Sequence, residues 1–160
     1  LSDGKSAVTF PFTEEDKAVY NALCLDDERN RYWGYDYRKD LVDELTEDYF
    51  LDVAKKDFDA RLAANFAIRL DGKCIGEAVL YNGDWRGGME LGCRIAPEYA
   101  GNGYGAEAFA AVAEWGLYKL GLLKVVAKCY RENEPSFKML SSCMRKVSED
   151  ETFFYFEKLI

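Results

Sequence analysis

The sequence predicts an α+β (α/β) domain in which a mixed, mostly antiparallel sheet is flanked by helices. Three observations predict it. Three strand-like segments in a row, joined by tight turn signals, form an antiparallel meander. A glycine-rich loop and a long Ala-rich helix follow, within E-L-G-C-R-I-A-P-E-Y-A-G-N-G-Y-G-A-E-A from Glu90 to Ala108. The apolar segment after that helix must cross back to the sheet, so it lies parallel to an earlier strand or beside it.

Each element has a local reason. Ala7 to Phe10 reads as a short strand that Pro11 ends. Thr13 caps a helix to about Cys24, with Glu14, Glu15 and Asp16 in its first turn. The acidic stretch Asp26 to Asn30 leads into Arg31 to Arg38, which is charged, aromatic and aperiodic and so predicts a loop or short helical turn. Thr46 caps a second helix to about Leu62, with Phe50, Val53, Ala54 and Phe58 at helical spacing. Phe66, Ile68 and Leu70 alternate as a strand. Asp71-Gly72 turns the chain into a returning strand, Cys74 to Tyr81. Asn82-Gly83-Asp84 turns it again into a strand beginning near Met89. On the long helix, Phe109, Val112, Ala113, Gly116, Leu117 and Leu120 form one stripe, and Gly121 stops it. Leu122 to Cys129 is the crossing strand. Asn133, with Pro135 in the first turn, opens a helix to about Met144. Thr152 to Leu159 is a final aromatic strand.

The 160 residues suit a single domain spanning 1–160, and a first residue of Leu leaves room for a longer parent chain. The net charge of −8 with no basic tract argues against nucleic acid as a partner. It suits a cationic acceptor such as an amine. No apolar run is long enough to span a membrane and no secretory pattern is present. The five scattered cysteines form no C-x-x-C pair, so neither a disulfide framework nor a metal site is expected; a reducing cytoplasm fits. There is no histidine, which excludes Ser-His-Asp and Cys-His catalysis. Proton transfer then falls to carboxylates, Tyr, Cys, Ser or water. Monomer and homodimer remain equally open.

Strand, glycine loop and helix together present bare N–H groups to a phosphate, with the helix dipole adding to the attraction. Gly101-x-Gly103-x-x-Ala106 fits a dinucleotide fingerprint taken alone. Its context does not: three strands and two helices precede it, and too few residues follow for a doubly wound domain. There is no P-loop lysine.

The order of elements over nearly the whole chain, most specifically from Glu90 to Leu140, resembles the GNAT superfamily of acetyl-CoA-dependent N-acyltransferases. The family's pyrophosphate motif is [Q/R]-x-x-G-x-[G/A]; Gly103 and Gly105 match it, with Ala100 at the first position. N-E-P-S-F-K-M-L, from Asn133 to Leu140, is similar to the N-x-x-S-x-x-x-L of the branch that includes ribosomal-protein N-terminal acetyltransferases. Leu140 stands where a thiolate-protonating Tyr is common, and Met144-Arg145 where Gly-Phe usually ends the helix.

The resemblance implies a GNAT fold whose two central strands splay into a V, and acetyl-CoA as cofactor. Pantetheine would lie along Arg94, Ile95 and Ala96, and pyrophosphate over Gly101, Asn102, Gly103, Tyr104, Gly105 and Ala106. Asn133 and Ser136 would meet the pantetheine arm, and Arg131 and Lys138 the 3′-phosphate. A strand bulge is expected at Gly92-Cys93. Glu90, on the central strand near the thioester, is the expected base, where burial would raise its pKa; the alternative is a solvated strand-edge carboxylate. Ser136 is the positional acid, with helix capping as its other role. Cys93 lacks a basic partner for nucleophilic attack. Trp33, Tyr35, Tyr37 and Trp85 could wall the acceptor pocket or simply pack the helices. The implied activity is acetyl transfer to a primary amine, of a protein or peptide N-terminus or of a small molecule. The alternative is a non-catalytic CoA-binding regulatory module of a tandem protein.

Overall fold

The computed structural model describes residues 6–33, 35–84 and 86–160. The elements run β1 (Ser6–Thr9), α1 (Lys17–Leu25), α2 (Tyr49–Asp59), β2 (Ala63–Leu70), β3 (Lys73–Tyr81), β4 (Gly88–Ile95), α3 (Tyr104–Tyr118), β5 (Lys124–Tyr130), α4 (Glu134–Cys143), β6 (Arg145–Glu149) and β7 (Phe153–Leu159). The strands form one sheet in the order β1-β2-β3-β4-β5-β7-β6. All pairings are antiparallel except β4 with β5. The meander is β2-β3-β4, and its first turn places Asp71 and Gly72 at φ 51° and 81°. Two positive φ values in a two-residue loop match the right-handed twist of the flanking strands.

The two faces of the sheet are covered differently. α3 and α4 cover a large apolar core in which Phe109, Val112, Leu80, Ile75, Val125 and Phe156 are almost fully buried. Each such side chain contributes about 1.5–3 kcal/mol relative to exposure. The α1–α2 face holds a smaller cluster of Tyr20, Cys24 and Phe50, with Phe12 stacked on Tyr20 at 4.2 Å. Charge fills the rest of that side. Asp16 is 2% exposed and binds Arg69 at 2.6 Å, which fastens the start of α1 to β2. Burial alone would raise the Asp16 carboxyl, but Arg69 and the Thr13 N–H hold it below its usual 3.8.

The structure corrects several local expectations. Asp48, not Thr46, stands at the N-cap of α2; the Thr46 carbonyl instead closes a turn onto the Tyr49 N–H. α2 stops at Asp59 because Arg61 turns left-handed at φ 60°. Its N–H reaches the Phe58 carbonyl, and the Leu62 N–H reaches that of Asp57. This is a Schellman closure built without glycine. The apolar stripe of α3 ends at Leu117, since the helix closes at Lys119 and Leu120 is 48% exposed. β6 was not expected: its residues are all exposed and carry no apolar pattern, and its pairing to β7 alone defines it. No bulge occurs at Gly92-Cys93, where β4 keeps continuous register with β3 from Glu90 to Ile95. The register shift of the meander lies between Ile68 and Arg69.

Candidate active site

The site begins where two strands part. β4 and β5 pair only from Gly88–Lys124 to Glu90–Val126. β4 continues along β3 to Ile95, and β5 continues along β7 to Tyr130. A V therefore opens just past Glu90. The Ala96 N–H donates to the Ile75 carbonyl of β3 at 2.8 Å. Alternation along a strand then turns the backbone of Arg94 toward β3 as well, and that of Cys93 and Ile95 toward the opening.

At the outer end of β4, a short turn over Pro97–Tyr99 leads into Gly101 and Gly103, both with φ above +80°. Gly103 is the N-cap of α3 and supplies no side-chain cap to the first helical N–H groups. The Asn102 side chain donates to the Tyr99 carbonyl at 3.1 Å and steadies the loop. Gly105 packs under β4, where a Cβ would lie 3.4 Å from Ile95. Left-handed glycine, uncapped N–H groups and an open strand edge are the donor set that a pyrophosphate and an extended amide chain require. The chemistry of this side fits coenzyme A.

α4 opens on the same side. The Asn133 side chain accepts from the Ser136 N–H at 3.4 Å and donates to Ser136 Oγ at 3.1 Å. Asn133 thus caps the helix, and Ser136 Oγ receives a hydrogen bond while its own proton stays available. Leu140 is 2% exposed and belongs to the core. Arg131 is held by Glu149 at 2.5 Å and by the Asp150 carbonyl. Lys138 is exposed.

On the opposite face, Glu90, Gly92 and Arg94 point toward α1 and α2. The Tyr81 hydroxyl donates to Glu90 Oε2 at 2.6 Å. Burial pushes that phenol above its ordinary range, and the Glu90 carboxylate adds to the effect. Arg94 is bound to Glu77 at 2.8 Å, with side chains 8% and 1% exposed. Glu77 also accepts from Asn65 at 2.8 Å. Arg94 further donates to Asn30 and lies 4.2 Å over the Trp33 ring. Asn30 in turn donates to the carbonyls of Leu23, Cys24 and Asp26, closing the end of α1. One buried guanidinium therefore pins the 26–33 segment to the sheet. A Cβ on Gly92 would lie 3.5 Å from the Trp33 ring and 3.6 Å from that of Tyr81, so the bare strand lets both rings approach it closely.

A cavity of about 660 Å³ passes through the V. Trp33, Tyr81, Glu90 and Arg94 line it from one face, and Asn133, Ser136 and Leu140 from the other. Tyr35 lines its rim and donates to Asp40. Asp57 lines it too; burial, and then the nearby Asp40, raise its carboxyl above the ordinary 3.8. Tyr37 also borders the cavity while packing edge-on to Phe50 at 5.1 Å. Ile95, at the end of β4, and Ala96 and the residues from Gly101 to Ala106, which follow it, lie outside the cavity. Trp85 lies outside the described residues. Burial pushes the Cys93 thiol up to about 12, which leaves it a poor nucleophile.

Sequence reasoning did not find Tyr81, Glu77, Asn30 or Asn65. One signal was available for the first two. A β3–β4 hairpin that sets Tyr81 opposite Glu90 also sets Glu77 opposite Arg94. Asn30 and Asn65 carried none, because each acts through a tertiary contact.

The family model "Acetyltransferase (GNAT) domain" matches residues 10–143. An uncharacterized N-acetyltransferase, YnaD, of Bacillus subtilis is 33% identical over 66 residues; that match spans 41% of this chain and 39% of the relative. The fold is similar to that of spermidine N-acetyltransferase from Vibrio cholerae, solved with CoA and spermine, at a TM-score of 0.80 and 16% identity over 96% of this chain and 95% of that one. It is also similar to a ribosomal L7/L12 alpha-N-protein acetyltransferase solved with CoA, at 0.73 and 12% over 93% and 91%. Among the described residues no helix is long and apolar enough to cross a membrane. With a family model covering most of its length and a sheet that splays at the glycine-loop helix, the chain belongs to the GNAT acetyltransferases, a family whose acyl donor is acetyl-CoA.

Proposed function

We propose that the chain transfers an acetyl group from acetyl-CoA directly to a primary amine. The carrying observation is the cavity through the V, with the Glu90 carboxylate where the strands part. Acetyl-CoA supplies an acyl group activated as a thioester. Gly101 to Ala106 and the open edge of β4 hold it through backbone N–H groups, and Asn133 meets its amide arm. Glu90 accepts a proton from the bound ammonium and frees its lone pair. As the nitrogen bonds the acetyl carbon and the C–S bond breaks, the Ser136 hydroxyl, oriented by Asn133, protonates the departing sulfur and is reprotonated by solvent, which also takes the second N–H proton. Carboxylates at Asp57 and Glu90 favour a cationic acceptor over a neutral one. Trp33 and Tyr35 wall the acceptor side. The names of the two fold neighbours span a polyamine and a protein N-terminus, so both acceptor sizes belong in the test.

The test is acetyl-CoA-dependent thiol release across spermine, peptides with free N-termini, aminoglycosides and amino acids. Turnover with at least one amine is expected. CoA binding without thiol release on any of them would favour a regulatory module instead, a reading that the buried Leu140 in place of a reactive Tyr would then explain.

A further inference from the structure

We propose that Tyr81 is a positioning residue for the reaction: its hydroxyl holds the Glu90 carboxylate in the orientation that takes the acceptor's proton. The inference rests on the reading of Glu90 as base. Tyr81 and Glu90 face each other across β3 and β4, and Glu90 is the last residue of β4 to pair with β5 before the strands diverge. Their 2.6 Å bond engages only Oε2 of Glu90. Among the described residues, Oε1 has no hydrogen-bond partner, and the carboxylate lines the cavity.

A Glu side chain has three rotatable bonds and many rotamers. Without a second fixed point, the carboxylate would sample them at the mouth of an open V. The Tyr81 ring removes that freedom because it is itself fixed. It packs beside bare Gly92, where an added Cβ would lie 3.6 Å from it. Its phenol, pushed up by burial and by Glu90, remains a protonated donor throughout the neutral range. In the step, the ammonium N–H bond breaks and a Glu90 O–H bond forms. The nitrogen keeps the electron pair, and Tyr81 keeps its proton throughout.

The experiment is a double-mutant cycle with Tyr81→Phe, Glu90→Gln and the double variant. It is read as kcat and KM for acetyl-CoA and for the panel amine that turns over fastest. Tyr81→Phe should lower kcat about tenfold, the worth of one hydrogen bond to a charged group. The KM for acetyl-CoA should hold. Glu90→Gln should lower kcat by about 100-fold or more. Adding Tyr81→Phe to Glu90→Gln should cost nothing further, because the hydroxyl acts through the carboxylate. A tenfold loss that persists in the Glu90→Gln background would overturn the positioning role while leaving the base in place. A full rate in Glu90→Gln would remove the base assignment. No thiol release by the unsubstituted chain with any amine would overturn both.

Discussion

The two faces of this sheet carry the two halves of the proposed site, and they are built from different materials. The α3–α4 side is made of backbone. Left-handed glycines, uncapped helix N–H groups and a strand edge released by its neighbour offer the donors that the proposed acetyl-CoA binding uses, over an apolar core. The α1–α2 side is made of side chains: Arg94, Glu77, Asn30, Asn65, Tyr81 and Glu90, drawn from four separate stretches of chain. The first kind of surface tolerates substitution wherever main-chain geometry survives. The second depends on each charge keeping its partner.

The largest expected effect tests the second kind. Arg94→Met leaves Glu77 buried and uncompensated, and should cost about 3–5 kcal/mol in urea unfolding. Arg94→Met with Glu77→Leu should recover much of it. A loss no larger than that of a loop glycine would erase the contrast between the faces. Next is Gly103→Val, which forces a β-branched residue to φ 83°. It should cost about 1–2 kcal/mol and weaken CoA binding in calorimetry, with Arg94 and its partners untouched. Unchanged CoA affinity would move the pyrophosphate elsewhere. Smallest is Leu120→Lys, expected to stay within about 0.5 kcal/mol by thermal melting because Leu120 projects beyond the core. A large loss would return it to the α3 stripe.

The same contrast explains what could be read in advance. The meander, the glycine loop and the Asn133 cap were legible because each is a local agreement between residue type and backbone need. Asp71-Gly72 wants positive φ, Gly103 wants a left-handed cap, and Asn133 bonds three residues on. Leu120 misled because periodicity says nothing about where a helix ends. Arg61 hid a helix stop because the left-handed closing position there is held by hydrogen bonds and not by a glycine. β6 was invisible because an edge strand borrows its order from its neighbour's ladder.

The sequence by itself determined the backbone geometry of the proposed site, since turn, cap and helix-start chemistry act over a few residues. Only the tertiary structure decided the side-chain half. Arg94 meets Asn30 across 64 residues and Glu77 across 17. A charge can be buried only where the whole fold delivers its partner to the same dry spot. That delivery is set by sheet register and helix packing, and neither is written in any one stretch of the chain.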